Sequence, residues 1–165
     1  MTITNPSVVF DEDDRVIYRR PTSDPPKVAI ISGGGSGHEP SHAGLVGKGL
    51  LTAAACGTLF ASPTAEQVRK AARDDSNNEK GVLIIPNNYT GDVLNFGMAT
   101  EKLRAAGIDT EFFAINDDVG VGRKKGGKVG RRGIAGSVLI YKMLGALAEA
   151  EYVAFFIPLF VLASF

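Results

Sequence analysis

KVAIISGGGSGHEP, residues 27–40, sets an apolar run directly before a glycine-rich turn that ends in histidine, glutamate and proline. The apolar run is typical of a strand that is buried on both faces in a parallel sheet. Two later segments have the same character, GVLIIP at 81–86 and TEFFAIN at 110–116. The sequence therefore predicts three such strands, each followed by a polar loop.

Segments with helical spacing lie between these strands and after the last of them. Three helices are predicted, at 63–73, 92–106 and about 134–149. The second has Thr90 or Asp92 as a candidate N-cap and Gly107 just past its end. Strands that alternate with helices indicate an α/β fold, with a mostly parallel sheet and crossover helices.

The 165 residues, 44% of them hydrophobic, are enough for one compact domain. We divide the chain into a loosely attached N-terminal arm at 1–26, a domain at 27–150 and an apolar tail at 151–165. From Tyr152 the tail reads YVAFFIPLFVLASF, which is shorter than the roughly 20 residues of a membrane span. We expect a buried strand or a poorly packed end there, and no membrane association.

Charge and cysteine content narrow the classes of partner. Lysine plus arginine number 18, as do aspartate plus glutamate, so no overall field attracts nucleic acid or an anionic membrane. The single cysteine, Cys56, gives no disulfide framework and favours a cytoplasmic location. The basic loop at 123–132 lacks aromatic residues for stacking on bases, so we expect a solvated loop or a docking surface.

Polar loops follow the three predicted strands, and in an open parallel sheet such loops meet beyond the carboxyl ends of the strands. They read GGGSGHEP (33–40), NNYTGD (87–92) and NDDVG (116–120). For Asp117 and Asp118 in the third loop, a solvated turn is expected. The first two loops are therefore predicted to form a ligand site.

Glycines dominate the first loop. Gly33, Gly34, Gly35 and Gly37 let the backbone approach a ligand closely, so their N–H groups could cradle a phosphate or a carbonyl oxygen. The loop lacks the lysine of a P-loop, and histidine stands where a dinucleotide fingerprint has its third glycine. A tight strand-to-helix turn is the alternative, and the glycines alone leave both interpretations open.

His38 ends this loop, where an imidazole suits proton transfer near neutral pH. His42 follows four residues later and would share a helix face with His38, and Glu39 lies nearby, which raises the question of a metal pair. No third ligand follows at a suitable spacing, so no metal site is predicted.

Asp92 allows two interpretations. A carboxylate in the first turn of a helix commonly caps free backbone N–H groups. If the loops converge, Asp92 and His38 would instead form an acid/base pair around a small hydroxylated substrate, whose oxygen the glycine N–H groups would hold.

Five segments together carry a resemblance to a known family: SGGGSGHEPSHAGLVGKGLL, FASPTAEQV, NYTGDVLNFGMA, INDDVGVG and VGRRGIAGSVLIYKMLGALAEA. In this order, over about 27–150, they resemble the substrate-binding (K-type) domain of dihydroxyacetone kinases, above all the ATP-dependent single-chain enzymes. The resemblance implies the first half of that α/β domain. It also implies a kinase that phosphorylates dihydroxyacetone, and often glyceraldehyde, to the triose phosphate.

The resemblance further implies roles for individual residues. The positions that match substrate-contacting positions are Gly34, Gly35, Ser36, Gly37, His38, Asn87 and Asp92. His38 and Asp92 match the histidine and aspartate that move the proton of the attacking hydroxyl. Asn87 stands where family members usually have a lysine that contacts substrate.

Other features of the family are not found in this chain. The family has a later histidine that binds the substrate carbonyl covalently, and no histidine here follows His42. The resemblance ends at Ala150, before the second half of the domain and before the helical domain that carries ATP and Mg²⁺. We therefore expect a fragment of a kinase, homodimeric at full length, that binds no cofactor itself and is not active alone.

Two other functions remain open. A short non-catalytic product would bind a triose weakly, or pair with a full-length subunit through its incomplete sheet and apolar tail. A nucleotide-binding α/β module would use the glycine loop to hold phosphate.

Overall fold

The computed structural model describes residues 5–73, 80–122, 124, 126–133 and 135–151. Within them the strands are β1 (Val8–Asp11), β2 (Val16–Arg19), β3 (Ala29–Ser36), β4 (Ala53–Leu59), β5 (Val82–Ile84) and β6 (Thr110–Phe112). The helices are α1 (Ala65–Arg73), α2 (Thr90–Ala105) and α3 (Ser137–Glu149), with a short 3-10 helix at Ala43–Leu45. None of these described helices is long and apolar enough to cross a membrane. The predicted apolar tail, apart from Glu151, lies outside the described residues.

The strands form one sheet in the order β1-β2-β4-β3-β5-β6. β3 lies at the centre and pairs in parallel with β4 on one side and β5 on the other, and β6 pairs in parallel with β5. β1 and β2 form an antiparallel hairpin, and β2 runs antiparallel to β4. The predicted α/β fold with a mostly parallel sheet is confirmed, and the hairpin adds an antiparallel edge.

Alternate residues of a strand point to opposite sides of the sheet, so both sides present apolar side chains. Helices cover both of these faces. Ala29 and Ile31 of β3 belong to the core that α1 and α2 close. Val28 and Ile30 belong to the core on the other face, which α3 and the segment at 43–51 close. Burial on both faces is the reason that the central strands read as continuous apolar runs.

The N-terminal hairpin differs from the loosely attached arm that the sequence predicted. Val16 is completely buried, and β2 is bonded to β4 along its length. The Arg19 N–H donates to the Thr52 carbonyl at 2.8 Å, and the Cys56 N–H donates to the Arg15 carbonyl at 2.9 Å. The hairpin therefore completes the sheet by covering the β4 edge, which would otherwise be open to pairing with another chain.

The N-cap of α2 is neither of the two predicted residues. Tyr89 is the N-cap residue, and its side chain makes no capping hydrogen bond, so Thr90 and Asp92 lie within the first turn. Gly107 follows the helix at φ +80°, a left-handed conformation that glycine adopts without steric cost, as predicted. The carboxylate of Asp92 is therefore not explained by capping.

An ion cluster holds the C-terminal end of α3 against the sheet. Glu149 Oε1 accepts hydrogen bonds from Lys27 Nζ at 2.6 Å, from Arg19 Nη1 at 2.9 Å and from the Gly49 N–H at 3.2 Å. Burial raises the pKa of Glu149, but the hydrogen bonds from Lys27 and Gly49 and the charges of Lys27 and Arg19 outweigh it. The net pKa lies below its ordinary value. The cluster fastens α3 to β2 and to the start of β3.

Candidate functional site

A cleft of about 520 Å³ opens beyond the carboxyl ends of β3 and β5. The chain leaves these neighbouring strands toward opposite faces of the sheet, into the segment at 43–51 after β3 and into α2 after β5. In open α/β sheets such a switch point leaves a crevice that binds ligands. The first two polar loops therefore meet where the sequence predicted.

Most of the predicted site residues line this cleft: Gly34, Gly35, His38, Asn87 and Asp92. Ser36 and Gly37 do not line it, and their polar groups bond within the protein. Ser36 Oγ donates to the Gly57 carbonyl at 2.7 Å, and the Gly37 N–H donates to the Glu39 carboxylate at 2.9 Å. These two residues therefore shape the loop.

The glycine segment is part of a strand. Residues 33–36 continue β3 and pair with β4, with Gly34 opposite Cys56. Turns at 37–42 and the 3-10 helix at Ala43–Leu45 follow. The alternative interpretation, a tight turn into an α-helix, is therefore wrong, and no described α-helix places its N-terminus behind these glycines to form a phosphate cradle.

His38 lies at the exposed rim of the cleft. Its ring stands edge-on to the ring of Phe60, with the ring centres 5.1 Å apart. Phe60 also packs on Gly37, where a Cβ would lie 2.8 Å from Phe60 Cε1. The bare backbone at Gly37 thus lets Phe60 support the loop that carries His38.

Asp92 is only 8% exposed, and its Oδ1 atom has no hydrogen-bond partner among the described residues. Burial raises the pKa of Asp92, while a hydrogen bond from Ser62 and the charge of His38 lower it by less. A buried acceptor without a partner costs about 1–3 kcal/mol, and each such group in a native fold requires an explanation. A ligand that donates to Oδ1 in the cleft supplies one.

His42 also lines the cleft, but it shares no helix face with His38, because residues 38–42 form turns. Its Nδ1 lies 2.9 Å from the hydroxyl of Tyr141. Burial, and to a smaller extent the charge of His38, lowers the pKa of His42 to about 4. Among the described residues, no three groups lie together that would hold a metal ion.

The second and third loops both position the start of α3. Asn87 Oδ1 accepts a hydrogen bond from Ser137 Oγ at 2.7 Å. Asp117 Oδ2 accepts one from the Gly136 N–H at 2.8 Å, so Asp117 supports the helix start rather than lying in a simple solvated turn. Asp118 closes a turn within its own loop, as predicted. This arrangement brings the first turns of α3 to the cleft.

Part of the basic loop is fastened to the second polar loop. Asn88 Nδ2 donates to the carbonyls of Val129 and Arg131 at 2.9 and 2.6 Å. The Arg132 guanidinium lies 5.1 Å from the centre of the Tyr89 ring, within reach of a cation–π contact. The described residues at 126–132 are therefore fastened next to the cleft, while residues 127–130 are exposed, as expected for a solvated loop.

Sequence reasoning missed Phe60, Ser62 and Tyr141 as lining residues. Phe60 and Ser62 follow β4, whose alanine-rich sequence was not predicted to be a strand. That strand adds a fourth loop at the same edge of the sheet. Tyr141 lies within α3 among apolar residues, where an aromatic residue ordinarily indicates core. No local signal distinguishes it.

The Dak1 domain family model matches residues 1–153, which include every residue that lines the cleft. Dihydroxyacetone kinase 1 of Saccharomyces cerevisiae is 52% identical over 150 residues, which cover 91% of this chain and 25% of that protein. The chain spans about a quarter of the length of the curated relatives that it matches first.

Two solved structures share the fold. The dihydroxyacetone kinase of C. freundii in complex with AMP-PNP and Mg²⁺ matches with a TM-score of 0.79 and 43% identity, over 91% of this chain and 27% of that one. The dihydroxyacetone kinase operon co-activator Dha-DhaQ matches with a TM-score of 0.89 and 37% identity, over 98% of this chain and 49% of that one. Similarity in sequence and similarity in fold thus each cover about nine tenths of the chain or more.

Proposed function

Since the chain belongs to the Dak1 domain family, that of the dihydroxyacetone-binding domain of dihydroxyacetone kinases, we propose that it forms the acceptor side of an ATP-dependent kinase of this kind. It binds dihydroxyacetone or glyceraldehyde in the cleft and positions a hydroxyl group for phosphorylation. Because it spans a quarter of its kinase relatives, we propose that it acts as part of a longer, cytoplasmic, homodimeric enzyme and is not active alone.

The observation that carries this proposal is the unpartnered Oδ1 of Asp92 on the wall of the cleft. A triose is small, uncharged and rich in hydroxyl donors, so it gives this acceptor a partner without bringing a second negative charge to it. A phosphate group at the same place would face the carboxylate, and the repulsion would weaken its binding. The cleft therefore favours a neutral polyol over a nucleotide.

Asp92 is the proposed base. In the reaction, a triose hydroxyl oxygen bonds to the terminal phosphorus of ATP as the bond from that phosphorus to ADP breaks, and the hydroxyl proton must leave. Oδ1 of Asp92 accepts this proton, and burial makes the carboxylate more basic than one in water. His38, exposed at the rim, passes the proton to solvent.

The chain's own residues do not account for the rest of the family's chemistry. His38 and His42 are its two histidines, so we propose that it holds the triose without a covalent bond. Among the described residues, no three acidic, histidine or cysteine side chains lie together near the cleft as a metal ion would require. We propose that ATP and Mg²⁺ are bound by a further domain.

The test is a titration of ¹³C-labelled dihydroxyacetone, observed by proton–carbon NMR, into the wild-type chain, His38→Ala and Asp92→Asn. We expect the wild-type chain to bind and Asp92→Asn to bind at least about tenfold more weakly, because the amide loses the charge that strengthens the hydrogen bond. Glu66→Gln is the matched control. It also removes a carboxylate from the first turn of a helix, but from α1, and should leave binding unchanged.

Circular dichroism of each variant separates a lost site from a lost fold. A wild-type chain that is folded and does not bind the triose would contradict the proposal. Equal binding by Asp92→Asn and wild type would remove Asp92 from the site.

The similarity to an operon co-activator over 98% of the chain favours a second candidate, a non-catalytic protein that binds a triose or pairs with another subunit. Adding the separate nucleotide domain of a dihydroxyacetone kinase with ATP and Mg²⁺ distinguishes the two. Triose phosphate that forms with wild type and not with Asp92→Asn supports the kinase, whereas binding without phosphorylation supports the second candidate. A nucleotide-binding module would instead bind ATP through this chain alone.

A further inference from the structure

A chain of hydrogen bonds links His42 to the interior of the sheet. The Tyr141 hydroxyl oxygen lies 2.9 Å from His42 Nδ1 and 2.9 Å from Ser32 Oγ. Ser32 Oγ lies 2.7 Å from the carbonyl oxygen of Ile85. Ser32 and Tyr141 are completely buried, so their hydroxyl groups depend on these protein partners.

The direction of each hydrogen bond follows from the number of hydrogens. The carbonyl oxygen of Ile85 can only accept, so it receives the one hydroxyl hydrogen of Ser32. Ser32 Oγ must then accept the hydrogen of Tyr141. With its hydrogen used, the Tyr141 oxygen accepts from His42, so Nδ1 of His42 carries a hydrogen.

One further contact and the pKa of His42 support this assignment. Ser137, which also contacts Tyr141, gives its own hydrogen to Asn87 Oδ1, so toward Tyr141 it too could only accept. Whichever serine receives the single Tyr141 hydrogen, none remains for His42 Nδ1. Burial, and secondarily the charge of His38, lowers the pKa of His42 to about 4, so its ring is neutral at pH 7. A neutral ring with its hydrogen on Nδ1 has an unshared electron pair on Nε2.

The Nε2 side of the ring forms part of the cleft wall. His42 lines the cleft, and a Cβ built on Gly34, another lining residue, would lie 2.9 Å from Nε2. No described residue donates a hydrogen bond to this nitrogen. An unfilled acceptor therefore stands in the cleft in addition to Asp92 Oδ1.

We propose that His42 Nε2 is a fixed hydrogen-bond acceptor for a second hydroxyl group of the ligand, held in that state by Tyr141 and Ser32. Two acceptors, Nε2 and Asp92 Oδ1, select small neutral molecules with two hydroxyl donors over those with one. This inference rests on the proposed function and specifies its substrate class. His42 binds and orients the ligand, and takes no proton from it.

The first test needs no ligand. In protein labelled with ¹⁵N at histidine, the chemical shifts of the two ring nitrogens identify which one is protonated, and the His38→Ala variant assigns the His42 signals, because the chain has two histidines. We expect His42 to be neutral at pH 7 with its hydrogen on Nδ1. A hydrogen on Nε2 would overturn the inference, whether or not a triose binds.

The second test compares ligands and isosteric side chains. His42→Asn keeps a donor near the position of Nδ1 and loses the acceptor, whereas His42→Gln can place an oxygen near the position of Nε2 and loses the donor to Tyr141. We expect His42→Asn to bind dihydroxyacetone about tenfold more weakly and His42→Gln to bind it within about threefold of wild type. If His42 only donated a hydrogen bond to Tyr141 and did not contact the ligand, His42→Asn would bind dihydroxyacetone more tightly than His42→Gln.

Hydroxyacetone, which lacks one hydroxyl group, completes the comparison. The wild-type chain should prefer dihydroxyacetone to hydroxyacetone, and this preference should shrink in His42→Asn. An unchanged preference overturns the inference while leaving the proposed function intact. A wild-type chain that is folded and binds neither ligand overturns the proposed function, and with it the ligand role of His42. If His42→Gln does not fold, the ring-nitrogen shifts and the His42→Asn comparison still decide.

Discussion

At the residue scale, position 34 requires glycine because the His42 ring leaves no room for a side chain, and not because the backbone there needs a left-handed conformation. A Cβ at this position would lie 2.9 Å from His42 Nε2 and 3.0 Å from His42 Cδ2, closer than such contacts allow. The ring has little room to retreat because Tyr141 holds its other nitrogen. One methyl group therefore tests whether access to Nε2 matters.

Gly34→Ala should weaken dihydroxyacetone binding by about fivefold or more, because the methyl group covers Nε2 or displaces the ring. NMR titration measures the change. Gly47→Ala is the control, since no atom lies within 4 Å of a Cβ at that position. Equal binding by Gly34→Ala and Gly47→Ala would show that the ligand does not approach this edge of His42.

Asp92→Asn should make the fold more stable at pH 7, by about 1 kcal/mol, while it weakens binding. Burial raises the pKa of Asp92 above 3.8, so the folded state favours the protonated form and loses stability as the pH rises through the folded-state pKa. Asparagine does not ionise, so the variant does not lose this stability as the pH rises. Urea unfolding curves should therefore separate the variant from wild type at pH 7 and converge toward pH 3. A less stable variant at pH 7 would indicate that an undetected partner stabilises the ionised carboxylate.

The sequence identified His38 and Asp92 as members of one cleft because each follows a strand that could be recognised. It could not identify Tyr141, which lies 99 residues from His42 and meets it only because α3 crosses that face of the sheet. Nor could it decide whether Asp92 caps its helix. That depends on where the first turn begins, and the turn begins after Tyr89.

At the scale of elements, α3 depends on the ion cluster at its last residue. Glu149→Gln removes the charge that faces Lys27 and Arg19, whose side chains are 8% and 7% exposed. Arg19 keeps its ion pair with Asp24, but Lys27 is left buried without a counter-charge. We expect the variant to lose about 2 kcal/mol at pH 7 for this reason. Thermal or urea unfolding measures the loss.

The pH dependence distinguishes this cause from a general loss of packing. The pKa of Glu149 is lowered below 4.5, so its contribution to stability is present above pH 4.5 and is lost as the pH falls through the folded-state pKa. Wild type and Glu149→Gln should therefore converge in acid. Glu101→Gln, which removes a 72% exposed partner of Arg104, should change stability by less than about 0.5 kcal/mol at any pH. A gap between wild type and Glu149→Gln that persists in acid would contradict the electrostatic explanation.

Elements with a strong apolar pattern were predicted within a few residues, whereas β4 was not. Residues 53–55 of β4 are alanines, which have little preference for strands, and a cysteine and a glycine follow them. Alanine is sufficient there because β4 lies between β2 and β3 and is covered on both faces. Tertiary contact, and not local propensity, makes this segment a strand.

At the scale of the whole molecule, the N-terminal hairpin should unfold together with the central sheet. Native-state hydrogen exchange tests this through the amides of Arg19 and Cys56, which bridge β2 and β4. Their exchange should be nearly as slow as that of the central β3 amides. Much faster exchange at both amides would indicate a hairpin that opens by itself, as the predicted loose arm would have done.

The position of Tyr141 at the cleft also has an optical consequence. The chain has no tryptophan and four tyrosines, and two of them, Tyr89 and Tyr141, line the cleft. Near-ultraviolet emission from this chain therefore comes mainly from tyrosine, and among the described residues two tyrosines, Tyr89 and Tyr141, stand where a ligand would be. The unlabelled polypeptide should report on occupancy of its own site through a change in quantum yield.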